Sequence, residues 1–140
     1  MLPSLAIGGG YSYTDAKAQY TEDQNDPNYM KYLPINATSY HNANWKIAWT
    51  HKDVGVSLFG RYQSTRYYIT DGNGKAYQLW RLNVRSSLLK TKKWNLGMNA
   101  GIDNIFNYID RTPFGKNRGT TSPGRTLYLS LNVKFQNKQK

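Results

Sequence analysis

The sequence contains no cysteine, and only eight of its 140 residues are acidic. Without thiols, neither a disulfide framework nor a thiolate metal site can form. No apolar run approaches the ~20 residues that a membrane helix needs. The opening "MLPSLAIGGG" lacks the basic start and the long apolar centre of a secretion signal. If the chain acts outside the cytoplasm, we therefore expect its targeting segment to lie elsewhere and the chain to be a fragment.

Basic residues outnumber acidic ones by 19 to 8, which gives a net charge of +11. Such a charge is compatible with nucleic acid, anionic lipid or an acidic ligand as partner. Lys90, Lys92 and Lys93 form the dense internal cluster, and residues 136–140 form a polar basic tail after a main segment of residues 1–135. The other basic residues are spread along the chain, so solvated faces and turns are the simpler interpretation.

The stretch "RTLYLSLNVKF", which ends at Phe135, alternates strictly between apolar and polar residues. A period of two predicts a β-strand with one apolar and one polar face. The same alternation recurs in five earlier stretches, whereas no amphipathic helix is predicted between them. These stretches are residues 5–15, "NANWKIAWT", "VGVSLFGRY", "QLWRLNVRSSL", in which Leu88 is placed on the apolar face, and "WNLGMNAGI".

The connections between these stretches alternate in length. Residues 16–40 and 104–124 are long, "HKD" and "KTKK" are short, and "TDGNGK" is intermediate, with flanks "STRYYI" and "AYQ" that extend the strands. Long loops at one end and tight turns at the other are typical of transmembrane β-barrels, whose strands need ~9 to 11 residues to cross the membrane. Trp49 and Trp94 flank the short turns, which predicts one shared membrane interface or, alternatively, a sandwich core. We predict an all-β fold, an antiparallel meander of about six transmembrane strands within a larger outer-membrane β-barrel.

The segment "GIDNIFNYIDRTPFG" followed by "GTTSPGRTLYLSLNVKF" resembles the C-terminal end of TonB-dependent outer-membrane receptors. The matching positions are Asp103, Asn104, Phe106, Asn107, Pro123, Gly124, Arg125 and Phe135. The resemblance implies that this chain is the last part of such a barrel. It also implies that the plug domain and the TonB-contacting box lie in a missing amino-terminal part, so that the chain does not transport alone. Family members usually end on the terminal aromatic residue, whereas Phe135 is followed by "QNKQK".

The resemblance implies uptake of a scarce, large solute such as a ferric siderophore, haem or cobalamin. The implied partners are outer-membrane lipid, the remainder of the barrel with its plug, and the TonB complex. Basic and aromatic side chains suit an anionic iron chelate through charge and stacking. The candidate ligand-binding residues are Arg61, Arg81, Arg85, Tyr29, Tyr32, Arg111 and Arg118. Alternatively, the arginines pair with acidic groups of the plug or hydrate the wall.

Other sites and functions find less support in the sequence. Asp103 and Asn104 are residue types that bond local backbone at a strand end. His41 and His51 have no acidic residue at zinc-site spacing, so we expect no metal, no cofactor and no enzyme. A soluble basic β-sheet module that binds nucleic acid would interleave aromatic and basic residues on one face, whereas here tryptophans and aliphatic residues share one face and arginines and lysines share the other. A small barrel closed by dimerisation remains an alternative.

Overall fold

The computed structural model describes residues 2–68, 73–109 and 124–135. These residues form β-strands and no helix, and so contain no helix able to cross a membrane. The strands are β1 (Ser4–Tyr13), β2 (Lys17–Gln19), β3 (Tyr32–Pro34), β4 (His41–His51), β5 (Val54–Gln63), β6 (Tyr77–Lys90), β7 (Trp94–Asp103) and β8 (Thr126–Phe135). Six of them form an antiparallel sheet in the order β1-β4-β5-β6-β7-β8, and β2 pairs with β3 in a separate hairpin.

The prediction of an all-β, antiparallel fold built on six strands is confirmed. Two local predictions were incomplete. The connection between the first two long strands contains the hairpin of β2 and β3, which the alternation did not reveal. In β6 a bulge between Ser87 and Leu89 shifts the register, so that Leu89 and not Leu88 pairs with Leu96 of β7. Of the two predicted flanks, "AYQ" contributes Tyr77 to β6, whereas β5 ends at Gln63.

The register of the sheet gathers the apolar side chains on one face. Direct partners in antiparallel strands share a face, so each line of partners is a row across the sheet. Two neighbouring rows on one side of the sheet are apolar across all six strands. We call this side of the sheet the apolar face and the opposite side the polar face. The first row is Ile7, Ile47, Leu58, Leu82, Ile102 and Leu127, and the second is Leu5, Trp49, Val56, Val84, Ala100 and Leu129.

No second layer packs on the sheet within the part of the chain that the structure describes. The only apolar side chains buried among the described residues are Tyr20 and Tyr77, and both lie at or beyond the strand ends. Ile7 is 73% exposed and Leu127 is 71% exposed, although both belong to the most apolar row. The whole chain exposes 10466 Å², whereas a compact monomer of 16.1 kDa exposes about 7,400 Å². The apolar face is therefore uncovered.

The two ends of the sheet differ. Residues 52–53 and 91–93 make tight turns at one end, the tight-turn end, and the three longer connections lie at the other, the loop end. The sheet is open, because the outer strands β1 and β8 each pair on one side only in the described structure.

The strand ends are also staggered. Val54 at the start of β5 lies opposite Ser86, but β6 runs four residues further, to residue 90. At the loop end, residue 77 pairs with β5 and residue 81 with the last residue of β7, again a difference of four. Because the bulge in β6 adds one residue at the tight-turn end, the shift is three to four residues over two strand spacings, which corresponds to strands tilted by about 50° from the normal to the line of turns.

Candidate functional site: the polar face and its loop end

The polar face of the sheet is strongly basic. Arg61 on β5 and Arg81 and Arg85 on β6 lie on this face, but they are spread along it, with Arg61 opposite Leu79 toward the loop end and Arg85 opposite Gly55 near the tight-turn end. Lys46 on β4 and Lys134 on β8 share it, while Asp103 supplies the one carboxylate among the described strands of this sheet. Asp103 pairs with Arg81, and both side chains are partly exposed, so the pair contributes about 1 kcal/mol or less.

Arg85 lies flat against the backbone of the neighbouring strand. A Cβ atom at Gly55 would come within 2.6 Å of the Arg85 Nε atom, so only glycine leaves room for this guanidinium. An open groove of ≈ 570 Å³ borders Arg85, Asn99, Asn132 and Lys134 toward the tight-turn end. A cationic groove with amide side chains along its wall offers hydrogen-bond donors to anionic or hydroxyl-rich groups.

A hydrogen-bond network crosses three strands in the middle of the polar face. Asn83 Nδ2 donates to Asn99 Oδ1 at 2.6 Å and to the Tyr128 hydroxyl at 2.9 Å. The Tyr128 ring occupies the space above Gly101, where a Cβ atom would lie 2.3 Å from the hydroxyl oxygen. This network fixes the positions of polar side chains on β6, β7 and β8. Its members pair across strands distant in sequence, so the alternation of apolar and polar residues does not reveal it.

A buried cluster joins the connections at the loop end. The Arg66 guanidinium, on a residue only 5% exposed, lies 5.2 Å from the centre of the Tyr77 ring. The Tyr77 ring stacks on Tyr108 at 5.1 Å, with an interplanar angle of 6°, and its hydroxyl donates to Gln63. Arg66 also exchanges two backbone hydrogen bonds with Gly74, at 2.9 and 2.8 Å. The cluster therefore links the β5–β6 connection to the segment that follows β7, and it too was not predicted.

The motif residues after β7 shape a turn through their side chains. Asn104 has a positive φ of 52°, and its side chain accepts from the Tyr108 amide at 2.8 Å and donates to the Tyr108 carbonyl at 2.6 Å. Asn107, with φ 55°, accepts from the Arg125 amide at 2.8 Å beside Gly124, whose φ is 105°. Asparagine and glycine tolerate this left-handed backbone best.

The remaining motif residues extend outward or end the described strand. Phe106 is 70% exposed and meets Trp80 edge-on at 6.3 Å, and Trp80 in turn meets Trp45 at 5.1 Å on the apolar face. Phe135 is the last residue of β8 and is 77% exposed. Pro123 lies outside the described residues.

The predicted loop tyrosines are separate from the arginines. Tyr32 begins β3 and is 70% exposed, whereas Tyr29 precedes it and is half-buried. Arg111 and Arg118 lie outside the described residues. In the same connection, burial and then the charge of Asp26 raise the pKa of Tyr20, and a hydrogen bond with Asp15 raises the pKa of Lys17.

No cluster of metal-binding side chains occurs within residues 2–68, 73–109 and 124–135. A scan against protein-family models and searches of curated proteins and of solved structures found no match to this chain. The function is therefore inferred from the two faces of the sheet, its open edges and the turn motif after β7.

Proposed function

We propose that this chain is a wall segment of a larger outer-membrane β-barrel, the C-terminal part of a receptor that takes up a scarce, large solute with energy relayed through TonB. The observation that carries the proposal is the uncovered apolar face, which is continuous across all six strands. In water such a face costs about 25 cal/mol for each Å² that stays exposed. Against lipid it is stable, and the basic, amide-rich face then lines an aqueous interior.

The dimensions of the apolar face support a membrane setting. From the Trp80 row to the Trp94 row, five steps of two residues run along β6 and β7, which is about 34 Å of strand. At the tilt of about 50°, this length projects to about 22 Å along the barrel axis, close to the apolar band of about 25 Å in outer-membrane barrels. The stagger itself is what the closure of a sheet into a barrel requires.

The open edges indicate that further strands complete the wall. β1 and β8 each leave one edge unpaired in the described structure, and in lipid an unpaired backbone group costs several kcal/mol. Bacterial single-chain barrels have about eight strands or more. We therefore propose that strands from the remainder of the barrel pair with both edges. Closure by a second copy of this chain is the alternative use of the same edges.

The solute and the link to TonB rest on the resemblance of the turn motif, together with the charge of the polar face. Arg61 and Arg85 form no ion pair with any described residue and are available to an anionic chelate. A nucleic-acid module is less well supported, because Trp45 and Trp80 lie on the face opposite to these arginines. On the polar face, stacking would have to come from Phe59 and Tyr128 and not from the tryptophans.

The absence of cysteine from this chain helps a direct test, in which single cysteines are introduced along β8 within the complete barrel and labelled with a fluorophore. Labels at Leu129 and Leu131 are expected to be quenched by a lipid-borne quencher in vesicles, and labels at Ser130 and Asn132 by a water-soluble one. The same four labels on the unfolded chain in denaturant serve as controls and should not alternate. Quenching that does not alternate in vesicles would contradict the proposal of a wall segment.

Uptake is tested separately, in the source bacterium. Deletion of the reading frame that encodes this chain is expected to abolish growth on one scarce solute supplied as a ferric siderophore, haem or cobalamin. A strain lacking TonB should show the same loss. Unchanged growth on every one of these solutes would overturn the uptake proposal and leave the wall segment standing.

A further inference from the structure

Five lysines of the described residues lie at the tight-turn end of the sheet. This basic rim consists of Lys52, Lys90, Lys92, Lys93 and Lys134, all of them exposed. Asp53 is the one described carboxylate at this end, and it pairs with Lys90. Four ammonium groups of the rim therefore have no acidic partner in the part of the chain that the structure describes.

The loop end has a different charge balance. The connection between β1 and β4 contains Asp15, Glu22, Asp23 and Asp26, and Lys17 pairs there with Asp15 at 3.2 Å. Acidic and basic groups are thus mixed at the loop end, whereas the tight-turn end is almost purely basic. Charge that served only solubility would need no such separation along the strands.

The turn between β6 and β7 presents two of these lysines in a fixed geometry. The Thr91 hydroxyl accepts from the Trp94 amide at 2.9 Å and donates to the Trp94 carbonyl at 2.8 Å, which closes the turn. Lys92 and Lys93 occupy its tip. Trp94 lies directly opposite Phe135 on the apolar face. Aromatic rings beside ammonium groups are what the interface between acyl chains and phosphate headgroups accommodates.

We propose that the turn lysines of the basic rim, Lys52, Lys92 and Lys93, bind the phosphate groups of anionic phospholipids at the membrane surface next to the tight turns. The inference rests on the proposed function, because the rim meets headgroups only if the apolar face lies in lipid. Trp94 and Phe135 then lie just below the headgroups, and the ammonium groups of Lys92 and Lys93 reach the phosphates. Each ammonium group near an anionic surface strengthens binding by about five-fold.

The test measures how strongly the chain binds vesicles of phosphatidylcholine, with and without phosphatidylglycerol, at low ionic strength. The double variant Lys92→Gln/Lys93→Gln is expected to lose about 30-fold of the affinity for phosphatidylglycerol vesicles and little of that for pure phosphatidylcholine. The matched control is Lys31→Gln/Lys75→Gln, which removes the same charge from exposed positions at the loop end and should keep the affinity. Lys92→Arg/Lys93→Arg should also keep it.

Three outcomes overturn the inference. Equal losses in both glutamine variants would show a net-charge effect without a defined rim. Displacement by inorganic phosphate beyond that of chloride at equal ionic strength would make the rim a site for the free anion. If the affinity does not depend on phosphatidylglycerol but the quenching of the β8 labels still alternates, headgroup binding is refuted and the wall segment is not. If the quenching of the β8 labels alternates in neither lipid, the proposal of a wall segment is refuted as well.

Discussion

A charge placed at the centre of the apolar face gives the sharpest test of where this face lies. Leu131 is 64% exposed and pairs with Met98, midway along β8. At an exposed position in water, Leu131→Arg should change the free energy of unfolding by about 0.5 kcal/mol or less. On the lipid side of a barrel near the bilayer midplane, an arginine costs about 2 to 4 kcal/mol, or roughly 30- to 900-fold in the folding equilibrium.

The neighbouring residue provides the control. Ser130 lies on the polar face of the same strand, where Ser130→Arg should cost about 0.5 kcal/mol or less, because lumen positions tolerate charge. Urea unfolding of both variants from vesicles, with the segment carried in the complete barrel that the proposal requires, is followed by tryptophan fluorescence and gives the difference in unfolding free energy. A difference of about 0.5 kcal/mol or less between them would refute the assignment of this face to lipid.

Three further predictions concern local structure. Gly60→Ala places a Cβ atom 2.2 Å from the Trp45 indole and should cost about 1 to 3 kcal/mol in denaturant unfolding, whereas Gly8→Ala meets nothing within 4 Å and should cost nothing. Asn104→Ala loses two side-chain hydrogen bonds at a left-handed backbone position and should cost about 2 to 4 kcal/mol. Asn104→Gly should recover the part of this cost that comes from the backbone conformation. Amide exchange of the residues after β7 measures the effect of both variants. The pKa of Tyr20 is raised by burial from its ordinary value of 10.0, so its stabilisation of the β2–β3 hairpin is complete below that pH and is lost as pH rises through the folded pKa. Lower amide protection factors in the hairpin at alkaline pH, after division by the intrinsic base-catalysed exchange rate, would show this loss, and Tyr20→Phe should show no such drop.

The long strands were predictable because their signal is local. Each begins and ends within about two residues of the alternating stretch that predicted it. The positions of Trp49 and Trp94 toward the tight turns on one face also followed from this alternation. Barrel closure, the membrane setting and the solute depend on surroundings that the residues alone do not encode, and they stay predictions.

The features that were missed have non-local or ambiguous signals. β2 and β3 have three residues each, too few to show a period. Leu88 and Leu89 are both apolar, so alternation could not locate the bulge between Ser87 and Leu89. The contact of Arg66 with Tyr77 and the stack on Tyr108 join segments that come together only once the strands have paired.

The unequal lengths of the connections also order the events of folding. The tight turns at residues 52–53 and 91–93 bring β4 to β5 and β6 to β7 at the lowest entropic cost of loop closure. The connection of residues 64–76 then joins these two hairpins, while β1 and β8 must close residues 14–40 and 104–125. We therefore expect the sheet to grow from its middle outward. The two strands that expose the open edges are then the last to become ordered, which shortens the time during which those edges can pair with a wrong chain.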